Sequence, residues 1–156
     1  AAARSGVARE VFALRRGISS VRVCDPAAIA SAVIAVCNEV GATMPTPNYP
    51  IYGQTSRDIH KHISRKVKKA ATELAAEVQR SGQDPLSWAA HAQHSCDRMA
   101  AIAAGDVSAV LSDVLRRPRT ELGPYLKEND RAVSLLKFVL SPGYLELRRK
   151  LGMGVR

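Results

Sequence analysis

Apolar residues recur at helical spacing along almost the whole chain. In the first segment Val7, Val11, Leu14 and Ile18 follow one stripe while Arg4, Arg15 and Arg16 lie off it, which predicts an amphipathic helix ending near Gly17. The stretch ISSVRV that follows is short and β-branched and predicts an extended segment. Asp25-Pro26 then reads as an N-cap followed by proline at the first helical position, where its missing N–H and fixed φ do no harm. Ile29, Val33, Val36, Cys37 and Val40 form the inner face of that helix, which Gly41 closes. From Gly41 to Gln54 the sequence GATMPTPNYPIYGQ carries Pro45, Pro47 and Pro50, so a long loop is expected, packed down as a strap by Tyr49, Ile51 and Tyr52.

Ser56 is placed to cap the next helix, running to about Arg80 with Ile59, Ile63, Val67, Ala70, Leu74 and Val78 inside, until Ser81-Gly82 breaks it. Asp84-Pro85 repeats the cap-and-proline start of a helix to Ala104, ended by Gly105, with Ala89, Ala92, Cys96, Met99 and Ala103 on its apolar stripe. Asp106 caps a helix whose inner side is Val107, Val110, Leu111, Val114 and Leu115, stopped before Pro118. Asn129 starts another with Val133, Leu136, Val139 and Leu140, and Ser141-Pro142 opens a last one carrying Tyr144, Leu145 and Leu147, stopped at Gly152-Met153-Gly154. The expected fold is an all-α bundle of six or seven helices with one long Pro-rich loop, a single domain over residues 1–156. The start AAARSGVARE has no initiator Met and no unbroken apolar run of a signal peptide, and reads as a piece of a longer polypeptide.

Composition narrows the function classes. The 156 residues are 46% hydrophobic, and a chain of this length supports a core without disulfides or metal. Aromatics at 4% are too few for base-stacking platforms. Cys24, Cys37 and Cys96 are widely spaced, which excludes a zinc ribbon and favours a reducing, cytoplasmic setting. The longest weakly polar run, PAAIASAVIAV, is about half of the roughly 20 residues that a bilayer requires, so no membrane span is expected.

Catalytic constellations are sparse. His60 with His62, and His94 with Cys96, are two residues apart and diverge on a helix; His91 and His94 alone converge, on an expected wet face with Ser87 and Arg98 and without a third ligand. No GxSxG elbow and no GxxxxGK[ST] or GxGxxG phosphate loop occurs, and Cys96 falls among apolar residues. The formal charge of +9 is concentrated between Arg57 and Lys69, where Arg57, Lys61, Arg65, Lys66, Lys68 and Lys69 face a single acid, Asp58. On one continuous helix Arg57, Lys61, Arg65 and Lys69 make a straight ridge. Three readings stay open for it: a solvated face, a dock for an acidic protein or neighbouring domain, and a phosphate-tracking surface for nucleic acid.

Two helices resemble a known family. Ala8-Arg9-Glu10-Val11-Phe12-Ala13 resembles the HExxH helix of gluzincin peptidases, with Arg9 and Ala13 in place of the two histidines and Glu10 kept. Gln93-His94-Ser95-Cys96-Asp97-Arg98-Met99-Ala100 resembles their ExxADRxA helix, with Gln93 at the third ligand position and Asp97-Arg98 kept, and Ala103-Ala104-Gly105-Asp106-Val107 continues it. The pattern, from Ala8 to Leu115, is similar to degenerate domains appended to large bacterial tetratricopeptide-repeat proteins. A zinc peptidase needs three good ligands and a carboxylate to deprotonate the bound water. The resemblance therefore implies a former site at Arg9, Glu10, Ala13, Gln93 and Asp97, without metal or cofactor, in which Glu10 pairs Arg9, Arg98 or another cation. The expectation is a non-catalytic scaffold or protein-interaction module whose partners are other domains of the same polypeptide or an acidic protein. The alternative is an anion- or nucleic-acid-binding module using residues 57–69.

Overall fold

Helix starts are fixed by side chains that replace missing backbone partners. Asp25 accepts from the Ala27 N–H at 2.8 Å, Asp84 from those of Leu86 and Ser87 at 3.2 and 3.0 Å, Asp106 from Ala109 at 3.0 Å and Asn129 from Ala132 at 2.9 Å. The computed structural model describes residues 2–153, so Gly154 lies outside the described residues. It contains α1 (Ala2–Arg15), α2 (Ser19–Val23), α3 (Pro26–Glu39), α4 (Tyr52–His62), α5 (Arg65–Ser81), α6 (Pro85–Ala104), α7 (Val107–Leu115), α8 (Asp130–Val139) and α9 (Pro142–Lys150). Two 3-10 turns, Arg119–Glu121 and Gly123–Tyr125, join α7 to α8, and the described residues contain no strand. The all-α class is as the periodicity predicts.

Nine α-helices among the described residues, rather than six or seven, arise from two corrections. ISSVRV is helical, not extended: Val21 is buried and its N–H donates to the Ile18 carbonyl, so tertiary burial overrides β-branched propensity. The helix expected from Ser56 to Arg80 is two helices, the first beginning at Tyr52. Ile63 and Ser64 are extended between them, and the Ser64 hydroxyl accepts from the Val67 N–H at 3.3 Å, giving α5 a new N-cap.

The chain divides into two compact units, Ala1–Arg22 with Ala92–Arg156, and Val23–His91. In the Val23–His91 unit, Cys37, Ala42 and Ala75 form the core, with Val33, Val40, Met44 and Val78 packed against them. The Pro-rich loop is held as a strap. Asn38 accepts from the Met44 N–H at 2.7 Å and donates to the Tyr52 hydroxyl at 3.2 Å, while Gln79 donates to the Thr43 carbonyl at 3.0 Å. Ile51 stays exposed and does not help to pack the strap. On α5 the inner line is Ala75 with half-buried Lys68, Ala71 and Val78, and Val67, Ala70 and Leu74 face solvent. On α3 the buried line is Ala30, Ser31, Ile34, Ala35 and Cys37, with Ile29, Val33 and Val36 only half-buried.

In the unit formed by residues 1–22 and 92–156, Ala100, Ala101, Ile102, Val110, Leu111, Leu122, Ala132, Leu135 and Tyr144 are the core. The α7 face is as expected. Elsewhere the faces shift: Leu140, Leu145 and Leu147 are exposed, Arg98 is half-buried rather than wet, and α1 turns Ser5, Arg9 and Ala13 inward while Val7 (63% exposed), Val11 and Leu14 (68%) face out. The Tyr144 hydroxyl donates to the Ala101 carbonyl at 3.2 Å, and its ring meets Phe138 edge-on at 5.4 Å. Gly105 ends α6 with φ +66°. A Cβ there would lie 2.8 Å from the Arg148 guanidinium, which donates to the Ile102 carbonyl at 2.6 Å.

Truncating Leu135, which is 1% exposed, should leave a cavity costing about 2–5 kcal/mol in Leu135→Ala. Leu140→Ala, at an 81% exposed position, should stay within about 0.5 kcal/mol. Urea unfolding followed by circular dichroism measures both, and equal losses would contradict the assignment of the α8 face.

Candidate functional site

α1 and the second half of α6 bring the resemblance residues Arg9, Ala13, Gln93 and Asp97 into one buried region. Ala13 is fully buried, one turn beyond Arg9. Gln93, one turn before Asp97, donates its amide to the Val21 carbonyl at 2.8 Å, which ties α6 to the backbone of α2. Asp97 is fully buried. Arg9, only 4% exposed, sets its Nη2 3.0 Å from Asp97 Oδ1 and pairs through Nη1 with Asp113 of α7. Arg131, in the first turn of α8, grips Asp97 as a fork, with Nη2 donating to Oδ1 at 2.8 Å and Nε to Oδ2. This bidentate geometry is the one in which a guanidinium best compensates a carboxylate removed from water.

Glu10 does not join the cluster. One step round α1 from Arg9, it pairs with Arg22 of α2, both groups being partly exposed, so of the expected partners it is "another cation" that takes it. Arg98, next to Asp97, turns the other way: Nη2 donates to the Ser134 hydroxyl at 3.2 Å and the guanidinium lies 5.5 Å from the centre of the Phe138 ring. Burial lowers the Arg9 pKa, Asp97 acts against that, and the neighbouring Arg131 charge adds to it. Burial and then the Asp97 charge push the Cys96 thiol up, and burial does the same for Cys37, so both are poor thiolate nucleophiles. Among the described residues no three His, Cys, Asp or Glu side chains are placed to share a metal ion.

Arg131, Asp113 and Arg22 are the members of this region that sequence reasoning misses. Asp113 had a signal, since it is the lone acid within the apolar helix VSAVLSDVL. Arg131 had none, because an Arg just after a cap reads as ordinary surface charge.

The basic residues form no straight ridge, because the break at Ile63–Ser64 puts Arg57 and Lys61 on α4 and Arg65, Lys66, Lys68 and Lys69 on α5. Arg57, Lys61, Arg65, Lys66 and Lys69 are exposed. Lys68 is half-buried and pairs with Glu39, which also meets His60 Nδ1 at 2.9 Å. Arg57 donates to the Gln54 side chain at 2.9 Å. No helix among the described residues is long and apolar enough to cross a membrane.

Asp97→Asn removes the charge that holds two guanidiniums in place and should cost about 3–5 kcal/mol, read as a fall in the urea midpoint. A change under about 0.5 kcal/mol would mean that water already compensates the cluster. Glu39 is held below the ordinary glutamate range, first by its hydrogen bond to Lys68 and then by that to His60. Its folded-state pKa being the lower one, its contribution is present above the unfolded value and is lost as pH falls through the folded value. Wild type and Glu39→Gln should therefore differ in urea midpoint near neutrality and converge in acid; a gap that persists at the acid end would contradict this linkage.

Compared with models of protein families, with curated proteins and with solved structures, the chain matches none.

Proposed function

We propose that the chain is a non-catalytic helical scaffold or protein-interaction module related to a metallopeptidase that has lost its zinc ligands. One observation carries the reading: every carboxylate in the region of the former site is engaged by a guanidinium, Asp97 by Arg9 and Arg131, Asp113 by Arg9, and Glu10 by Arg22. A general base needs an available lone pair beside a polarised water. Here a fixed cation at position 9 stands where a metal ligand would be, and it is neutralised by the acids around it.

The test is metal and turnover together. After incubation with zinc and dialysis, elemental analysis should find far less than one zinc per chain, and a mixed peptide pool should be cut no faster than in buffer. Stoichiometric zinc that is lost in Glu10→Gln or Gln93→Ala would overturn the proposal.

The partner expected for such a module is acidic, either a protein or a neighbouring domain of the same polypeptide. Support comes from the exposure of Arg57, Lys61, Arg65, Lys66 and Lys69. The same exposure favours nucleic acid as a second reading, although the broken ridge offers two short tracks instead of one. Duplex binding whose log K falls with log salt at a slope of about −4 to −5, and which charge reversal at Lys61, Arg65 and Lys69 abolishes, would favour that second reading.

A further inference from the structure

A cleft of about 630 Å³ opens between α1, α2 and the C-terminal end of α7, within the size range of small-ligand sites. Its lining includes four guanidiniums from three separate stretches of chain, Arg9, Arg22, Arg116 and Arg117, and one carboxylate, Asp113, while Asp97 pairs with Arg9 and Glu10 with Arg22 from outside the lining. Like charges gathered round a concave surface repel, and the arrangement is stabilised when an anion enters.

Two features set this cleft apart from a solvated basic surface. Arg9 is a buried cation, 4% exposed, held at the cleft wall by Asp97 and Asp113. Arg116 is the second feature. It follows α7 in left-handed backbone, φ 53° and ψ 44°, a position that favours glycine. The other positive-φ residues described are all glycines, and here the chain keeps a long cation at the cost of strain. The next residue is held in place as well: the Ser112 hydroxyl donates to the Arg117 carbonyl at 2.6 Å, and the Arg117 guanidinium lies 4.8 Å from the centre of the Tyr125 ring.

We propose that this cleft binds a small phosphate-bearing anion, either free phosphate or the phosphate of a small organic ester, between Arg9, Arg22, Arg116 and Arg117. Guanidinium forks match the oxygens of phosphate, and a doubly charged group suits an excess of cations better than a single carboxylate does. Asp113, whose side chain is 60% exposed, is the competitor: it occupies Arg9 Nη1 and can turn to water when the anion arrives. The site stands independently of the scaffold reading, since a module with or without residual chemistry can carry it.

Isothermal titration of the full chain in buffer free of phosphate and sulfate tests this, with inorganic phosphate, adenosine 5′-monophosphate and adenosine as probes. Saturable binding of one phosphate or one nucleotide per chain is expected. The phosphate arm and the nucleotide arm show whether the free ion suffices or an ester is needed. Arg116→Gly, which replaces the strained residue with the one its backbone favours, and Arg117→Gln should each weaken binding about tenfold. Asp113→Asn should strengthen it. The proposal is overturned if neither anion saturates, if adenosine binds as well as its phosphate, or if Arg116→Gly and Arg117→Gln bind like wild type while remaining folded by circular dichroism.

Discussion

A carboxylate taken out of water must be met by positive charge, and Asp97 is met twice, by Arg9 from α1 and by Arg131 from α8. That requirement sets the rotation of α1. For Arg9 to reach Asp97, the face carrying Ser5 and Ala13 turns inward with it, and Val7, Val11 and Leu14 are carried outward although they are the larger apolar groups. The start of α8 lies close by, since Asn129 caps the helix two residues before Arg131, whose fork closes on the carboxylate. The apolar core of this unit is built from α7, α8 and α9 by Val110, Leu111, Leu135 and Tyr144.

What the sequence discloses follows from which forces leave a periodic trace. Caps are legible because an Asp or Asn followed by a helix-compatible run does its work within three residues, as at Asp25, Asp84, Asp106 and Asn129. The α7 face is legible because its apolar residues are large and its outward ones polar. The faces of α1 and α5 are not, since small residues and one arginine turn inward there, and a hydrophobic period does not register an ion pair or a close approach at Ala75. The break at Ser64 escapes for a related reason: Ile59, Ile63 and Val67 keep helical spacing straight through it. Of the candidate site, Arg9 and Asp97 lie in the two segments singled out from the sequence, but of the groups that decide their chemistry Arg131 leaves no local pattern and Asp113 only that of a lone acid in an apolar helix.

The two kinds of cation are used differently. Arginine reaches into the protein: Arg9 and Arg131 meet a buried acid, Arg98 and Arg148 meet a hydroxyl, a carbonyl and aromatic rings. The lysines of the basic segment mostly stand in solvent, with Lys68 drawn back to Glu39 as the exception. A planar, weakly hydrated guanidinium tolerates partial burial, whereas a compact ammonium holds its water. Arg9, Lys68, Arg98, Arg131 and Arg148 are thus structural, and total charge alone overstates how much is available to a partner.

Gly105 carries two obligations at once. Its backbone is left-handed, and the space a side chain would fill belongs to the Arg148 guanidinium on its way to the Ile102 carbonyl. A larger residue would meet backbone strain and would also unseat the clasp by which the final helix grips the end of α6. The α6–α7 corner is therefore a position without mutational latitude, where even alanine would trade a turn for a loosened α9.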